Sequence, residues 1–241
     1  MQDFEEVILN NWATRFQCSV STIKQNGTTL LPDEKYANHN LVILWHIGKH
    51  SFALFDPSEI VLVRDILIRL PMNTSLSGDH IQQALGINAI SSHEINRIHY
   101  LPPSDLPNLA TPDSFHVREL VLSDQEYLSE LRRNCTPEEV SNGYVDIDHE
   151  VVFGCFHESE LVSAASGYRM AGFINIAVLT HARFRKLGLG KVVVGALCKW
   201  AVAHNIIAQY RCNTHNTGSR GLARSLNFRH YFISESIVIT H

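Results

Sequence analysis

The sequence predicts a mixed α/β fold, in which helices flank a central mixed sheet and a smaller N-terminal α+β domain precedes it. Three apolar runs follow one another between residues 150 and 180 with short connections, which indicates neighbouring antiparallel strands. A basic, glycine-containing loop then leads into a long apolar helix. Four prolines between Pro102 and Pro112 are typical of a linker, so we expect one domain over 1–112 and another over 113–241.

The N-terminal segment combines helical and strand patterns. Val7, Ile8 and Trp12 share one face at helical spacing, and we expect Trp12 to be a core residue. Gly48-Lys49-His50 separates two apolar runs, which predicts a hairpin. The predicted elements are helices over 4–16, 56–70 and 77–85 and strands over 41–47, 51–55 and 95–101.

The C-terminal segment begins with one strand and two short helices. Ser123 with Glu126 and Thr136 with Glu139 have the spacing of capping boxes, which start these helices. The predicted strands cover 115–122, 150–156, 161–168, 173–180, 206–212 and 229–240, and the predicted helices cover 124–134, 137–142, 188–204 and 217–226.

The loop between the strand at 173–180 and the long helix has the features of an anion site. Gly188 and Gly190 allow a bound group to approach the backbone closely. The first turn of the following helix offers free N–H groups and partial positive charge, which suits phosphate. A Walker loop does not fit, because Val192 follows Gly190-Lys191, and a dinucleotide fingerprint fails at Val193.

Two motifs in order carry a resemblance to a known family. Arg185-x-x-Gly188-x-Gly190 resembles the acetyl-CoA loop of the GNAT acyltransferase superfamily. After one helix and one strand, the segment from Asn216 to Phe228 resembles that family's N-x-x-S-x-x-L-A-x-x-L-G-F motif, with Asn227 in place of glycine. The resemblance covers about 113–241. It implies a GNAT-like fold and transfer of an acetyl group from acetyl-CoA to an amine.

The resemblance also implies which residues hold acetyl-CoA. The pantetheine arm would pair with the strand end and contact Asn216, and the pyrophosphate would lie on the glycine loop. The expected cofactor-binding residues are Val178, Leu179, Thr180, Arg185, Lys186, Leu187, Gly188, Leu189, Gly190, Lys191 and Asn216.

The catalytic residues usual in the family are absent at the matching positions. Ala223 occupies the position of a common Tyr, and Ile174 and Arg211 occupy positions where relatives carry Glu. By resemblance to the N-x-x-S subset, Ser219 is the expected catalytic hydroxyl. Tyr231 is the second catalytic candidate, with Tyr168 and water as alternatives.

Three functions follow from these observations. The first is an N-acetyltransferase acting on a primary amine of a small molecule or a protein, with the N-terminal domain closing the acceptor side. The second is a sensor or regulatory module that binds acyl-CoA without turning it over, because the acid–base set is incomplete. The third is an interaction protein whose N-terminal domain recruits a partner.

The composition limits the classes of partner and the cellular location that we expect for the protein. The net charge of −4 gives no case for nucleic acid, and no apolar stretch approaches the ~20 residues of a membrane span. The first residues lack a signal-peptide pattern, and the five cysteines form no C-x-x-C pair, so we expect reduced thiols and a cytoplasmic location. The histidines lack ligand spacing, so no metal is expected. A homodimer is left open.

Overall fold

The computed structural model describes residues 3–240 and divides the chain into two compact units. The first unit takes the chain up to Ile98, Cys212–His215 and the chain from Tyr231 onward. The second unit takes His99–Arg211 and Asn216–His230. Each unit combines helices with a sheet whose strand pairs are both parallel and antiparallel, which confirms the predicted fold class.

The first unit is built on strands and helices from both ends of the chain. Its elements are α1 (Phe4–Arg15), α2 (Val20–Ile23), β1 (Gly27–Pro32), β2 (Leu41–Ile47), β3 (His50–Phe55), α3 (Ile60–Arg69), α4 (Gly78–Leu85), most of β4 (Ile90–Leu101) and most of β10 (Arg229–Ile239). Strand β1 pairs parallel with β3, and β2 pairs antiparallel with both β3 and β10. The predicted hairpin is therefore present as β2 and β3.

Apolar side chains from helices and strands form the core of this unit. Trp12 is a core residue, as predicted: it is 2% exposed, and its ring lies 4.9 Å from that of Trp45. Helices α3 and α4 contribute Val63, Ile66 and Ile81 to a buried cluster with strand residues such as Val42. Strand β1 was not predicted, because its pairing with β3 is non-local and its side chains are only half-buried.

The second unit has helices on both faces of its sheet. Its elements are β5 (Phe115–Glu119), α5 (Gln125–Arg133), α6 (Pro137–Gly143), β6 (Val151–His157), β7 (Glu160–Met170), β8 (Phe173–Thr180), α7 (Leu189–Ala203), β9 (Ala208–Asn213, up to Arg211) and α8 (Thr217–Ser225). Strands β5 to β8 form an antiparallel meander, and β8 pairs parallel with β9. Helix α7 buries Val193 and Leu197, whereas α5 packs Leu128 against Leu179 on the other face.

The division of the chain differs from the predicted boundary at residue 112. Residues 99–112 fall in the second unit, while the chain from Tyr231 onward falls in the first. The reason is that β10 pairs with β2, with Ile237 opposite Val42, and a local pattern of prolines carries no information about that long-range pairing. The expected role of the N-terminal domain at the acceptor side stays a prediction.

Glu235 of β10 is a buried carboxylate within the first unit. Its two oxygens accept hydrogen bonds from Nε2 of His46 at 2.7 Å and of His93 at 2.6 Å, and the Gly78 N–H donates at 3.0 Å. Burial alone would raise the pKa of Glu235, but these hydrogen bonds lower it to about 2. Because the carboxylate joins β2, β4 and the start of α4, we infer that it stabilises this unit.

Replacing Glu235 with Gln should lower the free energy of unfolding at pH 7 by about 1.5–3 kcal/mol, because one histidine N–H would then face an amide N–H. The pKa of Glu235 is about 2 in the fold and ordinarily 4.5, so its stabilisation is present above pH 4.5 and is lost as the pH falls toward 2. Urea unfolding at several pH values measures this. Glu94→Gln, at an exposed site on β4, is the control. Equal stability of the two variants would contradict the inference.

Candidate functional site

Strands β8 and β9 separate part-way along their length. Their register comprises the pairs Ile174↔Ala208 and Asn175↔Gln209, although β8 continues to Thr180. The Ile174 N–H donates to Ile207 C=O on the β9 side, whereas the His181 N–H donates to Val162 C=O on the β7 side. Because backbone groups alternate in direction along a strand, those of residues 176, 178 and 180 face the opening between β8 and β9.

A groove of about 1050 Å³ occupies this opening. It is lined by β8, the loop after β8, α6, the first turn of α7, β9 and α8. Predicted cofactor-binding residues in its wall are Val178, Leu179, Thr180, Arg185, Lys186, Gly188, Leu189, Gly190, Lys191 and Asn216. Leu187 is not among the lining residues and is 52% exposed. Residues of the two motifs, which lie far apart in the sequence, therefore line the same groove.

The start of α7 forms the basic end of the groove. Gly188 has φ +81°, a left-handed conformation that favours glycine, and no side chain caps the helix. The first-turn N–H groups therefore keep their donor capacity, and the helix dipole adds partial positive charge. Lys186 and Lys191 line the same end and have no ion-pair partner within residues 3–240. This arrangement suits an anionic group such as a pyrophosphate.

Arg185 makes two specific contacts that the sequence did not predict. Its Nη1 lies 2.6 Å from Glu139 Oε1, and its Nε donates to the Thr180 C=O at 3.2 Å. The hydrogen bond from Arg185 is the main reason why the pKa of Glu139 is lowered to about 2. Arg185 thus joins the glycine loop to α6 and to the end of β8, and its charge is shared with Glu139.

Helix α6 forms one wall of the groove, and the sequence did not predict this role. Glu138, Asn142 and Gly143 all line the groove. A Cβ on Gly143 would lie 3.0 Å from the Val178 carbonyl oxygen, so the absence of a side chain allows the helix to approach the strand. No local pattern marks these residues, because their position depends on how α6 packs.

Helix α8 brings Asn216 and Ser219 to the groove. Asn216 is the N-cap, and its Oδ1 accepts a hydrogen bond from the Ser219 backbone N–H at 2.9 Å. The Ser219 hydroxyl takes no part in this cap and has no hydrogen-bond partner in the part of the chain that the structure describes. Asn227, which replaces the family's glycine, has φ +63° just after the helix, as expected for a residue that tolerates the left-handed region.

The two tyrosines that were the other catalytic candidates are not among the groove-lining residues. Tyr231 belongs to the first unit, where its ring packs edge-on against Phe4 at 6.2 Å, and it is not among the groove-lining residues. A catalytic role for Tyr231 therefore stays a prediction, since the residue belongs to the other unit. Tyr168 lies on β7, where its phenol oxygen accepts a hydrogen bond from Asn175 Nδ2.

Comparison with known proteins agrees with this fold. A family model described as GNAT acetyltransferase matches residues 151–233, which span β6 to the start of β10. This match confirms the resemblance to the GNAT superfamily that was found in the sequence. No curated protein sequence matches the chain.

Several solved structures share the fold at low sequence identity. A functionally unknown conserved protein from Staphylococcus epidermidis is 10% identical, with 81% of this chain and 86% of that chain covered and a TM-score of 0.55. A GCN5-related N-acetyltransferase from Kribbella flavida is 14% identical, with 78% and 77% covered and a TM-score of 0.52. A Drosophila protein is 11% identical, with 98% and 88% covered and a TM-score of 0.52.

No helix within residues 3–240 has both the length and the apolar character that crossing a membrane needs.

Proposed function

We propose that the protein is an N-acetyltransferase that transfers an acetyl group from acetyl-CoA to a primary amine of a small molecule or a protein. The observation that supports this most directly is the opening between β8 and β9, which ends at the uncapped, glycine-flanked start of α7. Family membership supports acyl transfer in general. The acetyl donor and the amine acceptor are the parts that we propose.

The groove fits the two chemically different halves of acetyl-CoA. The first-turn N–H groups of α7, with Lys186 and Lys191, would bind the pyrophosphate. The pantetheine arm contains amide groups, and the edge of β8 offers them the backbone N–H and C=O of Val178 and the N–H of Thr180. Gly190 has no side chain to narrow the groove between these two regions, where a Cβ would lie 3.3 Å from Thr180 Oγ1.

The transfer itself requires a free amine and a stabilised leaving group. The amine nitrogen attacks the thioester carbonyl carbon, the C–S bond breaks, and the sulfur takes a proton. Ser219 lies one helical turn after Asn216 and lines the groove with it, so its hydroxyl would donate a hydrogen bond to the developing thiolate. We assign Asn216 to the pantetheine arm and Ser219 to the sulfur.

One observation favours a second candidate function. Ile174, Arg211 and Ala223 stand at positions where relatives carry acids or bases, and Ala223 is buried in the core. A protein with an intact groove and an incomplete catalytic set would act as an acyl-CoA sensor. Binding of acetyl-CoA is common to both functions, whereas turnover belongs to the enzyme alone.

The two functions are separated by measuring binding and turnover on the same preparation. We expect calorimetry to show saturable binding of CoA and acetyl-CoA to the full chain. Release of free thiol should then accelerate with members of a panel that holds an alkylamine, an aromatic amine, a polyamine, amino acids and short peptides. Binding of acetyl-CoA with no turnover of any amine in the panel would favour the sensor. Absence of binding would overturn both functions.

A further inference from the structure

Three aromatic side chains of the second unit meet beside the closed end of the opening between β8 and β9. The ring centroids of Tyr144 and His149 are 5.2 Å apart, those of Tyr144 and Tyr168 are 5.4 Å apart, and those of His149 and Tyr168 are 4.9 Å apart. Tyr144 is 59% exposed, so a ligand can reach this surface, which we call the aromatic cluster.

The backbone places the aromatic cluster next to the groove. Tyr144 directly follows Asn142 and Gly143, which line the groove from α6. His149 Nδ1 lies 2.7 Å from Ser166 Oγ, and Ser166 is the register partner of Ala177, a groove-lining residue of β8. Register partners in an antiparallel pair point to the same face about 5 Å apart. The cluster therefore lies one strand away from the groove wall.

A chain of hydrogen bonds connects the cluster to the point where β8 and β9 separate. Gln209 Nε2 donates to Asn175 Oδ1 at 3.2 Å, and Asn175 Nδ2 donates to the Tyr168 oxygen. Asn175 precedes Ile176, the first groove-lining residue of β8. Since the phenol oxygen accepts from Asn175, its own proton remains available to another acceptor. Gln209 Oε1 is buried and has no hydrogen-bond partner among the described residues.

The surroundings of His149 favour its neutral imidazole. Burial is the main effect and lowers its pKa from the ordinary 6.5, Asp146 and Asp148 oppose this, and Arg132 adds to it. Asp146 is already paired with Arg132 Nη2 at 3.1 Å, whereas the Asp148 carboxylate is exposed. In the tautomer in which the His149 Nδ1–H donates to Ser166 Oγ, Nε2 carries the lone pair that can accept a proton.

We propose that the aromatic cluster binds the acceptor as its ammonium ion and that His149 is the general base that removes the ammonium proton. This rests on the proposed acetyl transfer, and it names the acceptor side of that site. The faces of Tyr144 and Tyr168, together with the Asp148 carboxylate, attract a cation. An alkyl or aromatic primary ammonium fits this chemistry better than an anionic or neutral acceptor.

The proton balance of the proposed step is complete. His149 Nε2 takes one proton from the ammonium and becomes an imidazolium, which leaves the amine with its lone pair. The nitrogen then forms the C–N bond with the thioester carbonyl carbon. As the C–S bond breaks, the second proton leaves nitrogen for sulfur, and the imidazolium returns its proton to water. No further reactant is needed.

The first test measures binding at this surface in the full chain saturated with CoA. Phenethylamine, butylamine and spermidine are titrated while the histidine and tyrosine ring resonances are followed by NMR, with the His149 signal assigned through His149→Asn. We expect saturable shifts at His149 and Tyr168 and none at His116, which stacks on Phe156 on the same unit. Shifts confined to other residues, or no shift with any of the three amines, would overturn the acceptor site. Loss of CoA binding itself would instead count against the proposed function.

The second test measures the role of His149 in turnover, with the amine that shifts its resonance. In His149→Asn the amide can keep the contact with Ser166, so the fold should remain while kcat/KM falls about 100- to 10,000-fold and the affinity for CoA is unchanged. The wild-type kcat/KM should fall as the pH drops through the His149 pKa, below 6.5, and the variant should lack this limb. His116→Asn is the matched control. An unchanged pH profile in His149→Asn would overturn the assignment.

Discussion

Replacing Gly190 with Val should reduce the affinity for acetyl-CoA by about 30- to 150-fold. Gly190 lies in the first turn of α7, where a Cβ would already be 3.3 Å from Thr180 Oγ1 and 3.9 Å from Val178 Cγ2. The two further carbons of valine would project into the region that we assign to the pantetheine arm and the pyrophosphate. Filling a fitted site with extra carbons costs roughly 2–3 kcal/mol, which corresponds to this factor.

This prediction is tested by calorimetry with CoA and acetyl-CoA, and Gly190→Ala provides a graded comparison. Alanine adds the Cβ alone, and the Thr180 side chain can move by the few tenths of an ångström that it needs, so a loss below about tenfold is expected. Gly190 has no positive φ, so neither variant strains the backbone, and the melting temperature should hold. Equal affinities for wild type and Gly190→Val would remove the loop from the CoA site.

Local patterns were sufficient to predict the strand–loop–helix part of the site. The helix predicted over 188–204 is observed as Leu189–Ala203, and the strand predicted over 173–180 has the same bounds. Both depend on neighbouring residues, on glycine conformation and on apolar spacing. The register between β8 and β9 stops after Asn175, which leaves the end of β8 free for the pairing with the pantetheine arm that the resemblance implies.

Features that depend on long-range packing were not predictable in the same way. Tyr231 was named as a catalytic candidate, but its sequence context did not show that β10 belongs to the first unit from Tyr231 onward. The histidines were interpreted as scattered because their sequence spacing shows no pattern. His149 meets Ser166 and Tyr168 only through the pairing of β6 with β7, which determines which side chains share a face.

Replacing Ser219 with Ala should lower kcat by about tenfold to a thousandfold while the affinity for acetyl-CoA is largely kept. Under the proposed function the Ser219 hydroxyl faces the sulfur, where charge develops as the tetrahedral intermediate collapses. A neutral donor aimed at developing charge contributes a few kcal/mol to the transition state. Because the interaction strengthens only as the C–S bond breaks, its loss should reduce kcat and kcat/KM together.

The structure allows this effect to be separated from helix capping. The cap joins Asn216 Oδ1 to the Ser219 backbone N–H, so Ser219→Ala keeps it, whereas Asn216→Ala should cost ~1 kcal/mol of stability. Ser225→Ala is the matched control, because Ser225 lines the same groove from α8 but its hydroxyl already donates to the Leu222 C=O at 2.9 Å. Thiol release with the active amine gives kcat for each variant. If Ser219→Ala turned over at the wild-type rate, or no more slowly than Ser225→Ala, the hydroxyl would have no catalytic role, and the hydrogen bond to the developing thiolate would come from Tyr168 or water.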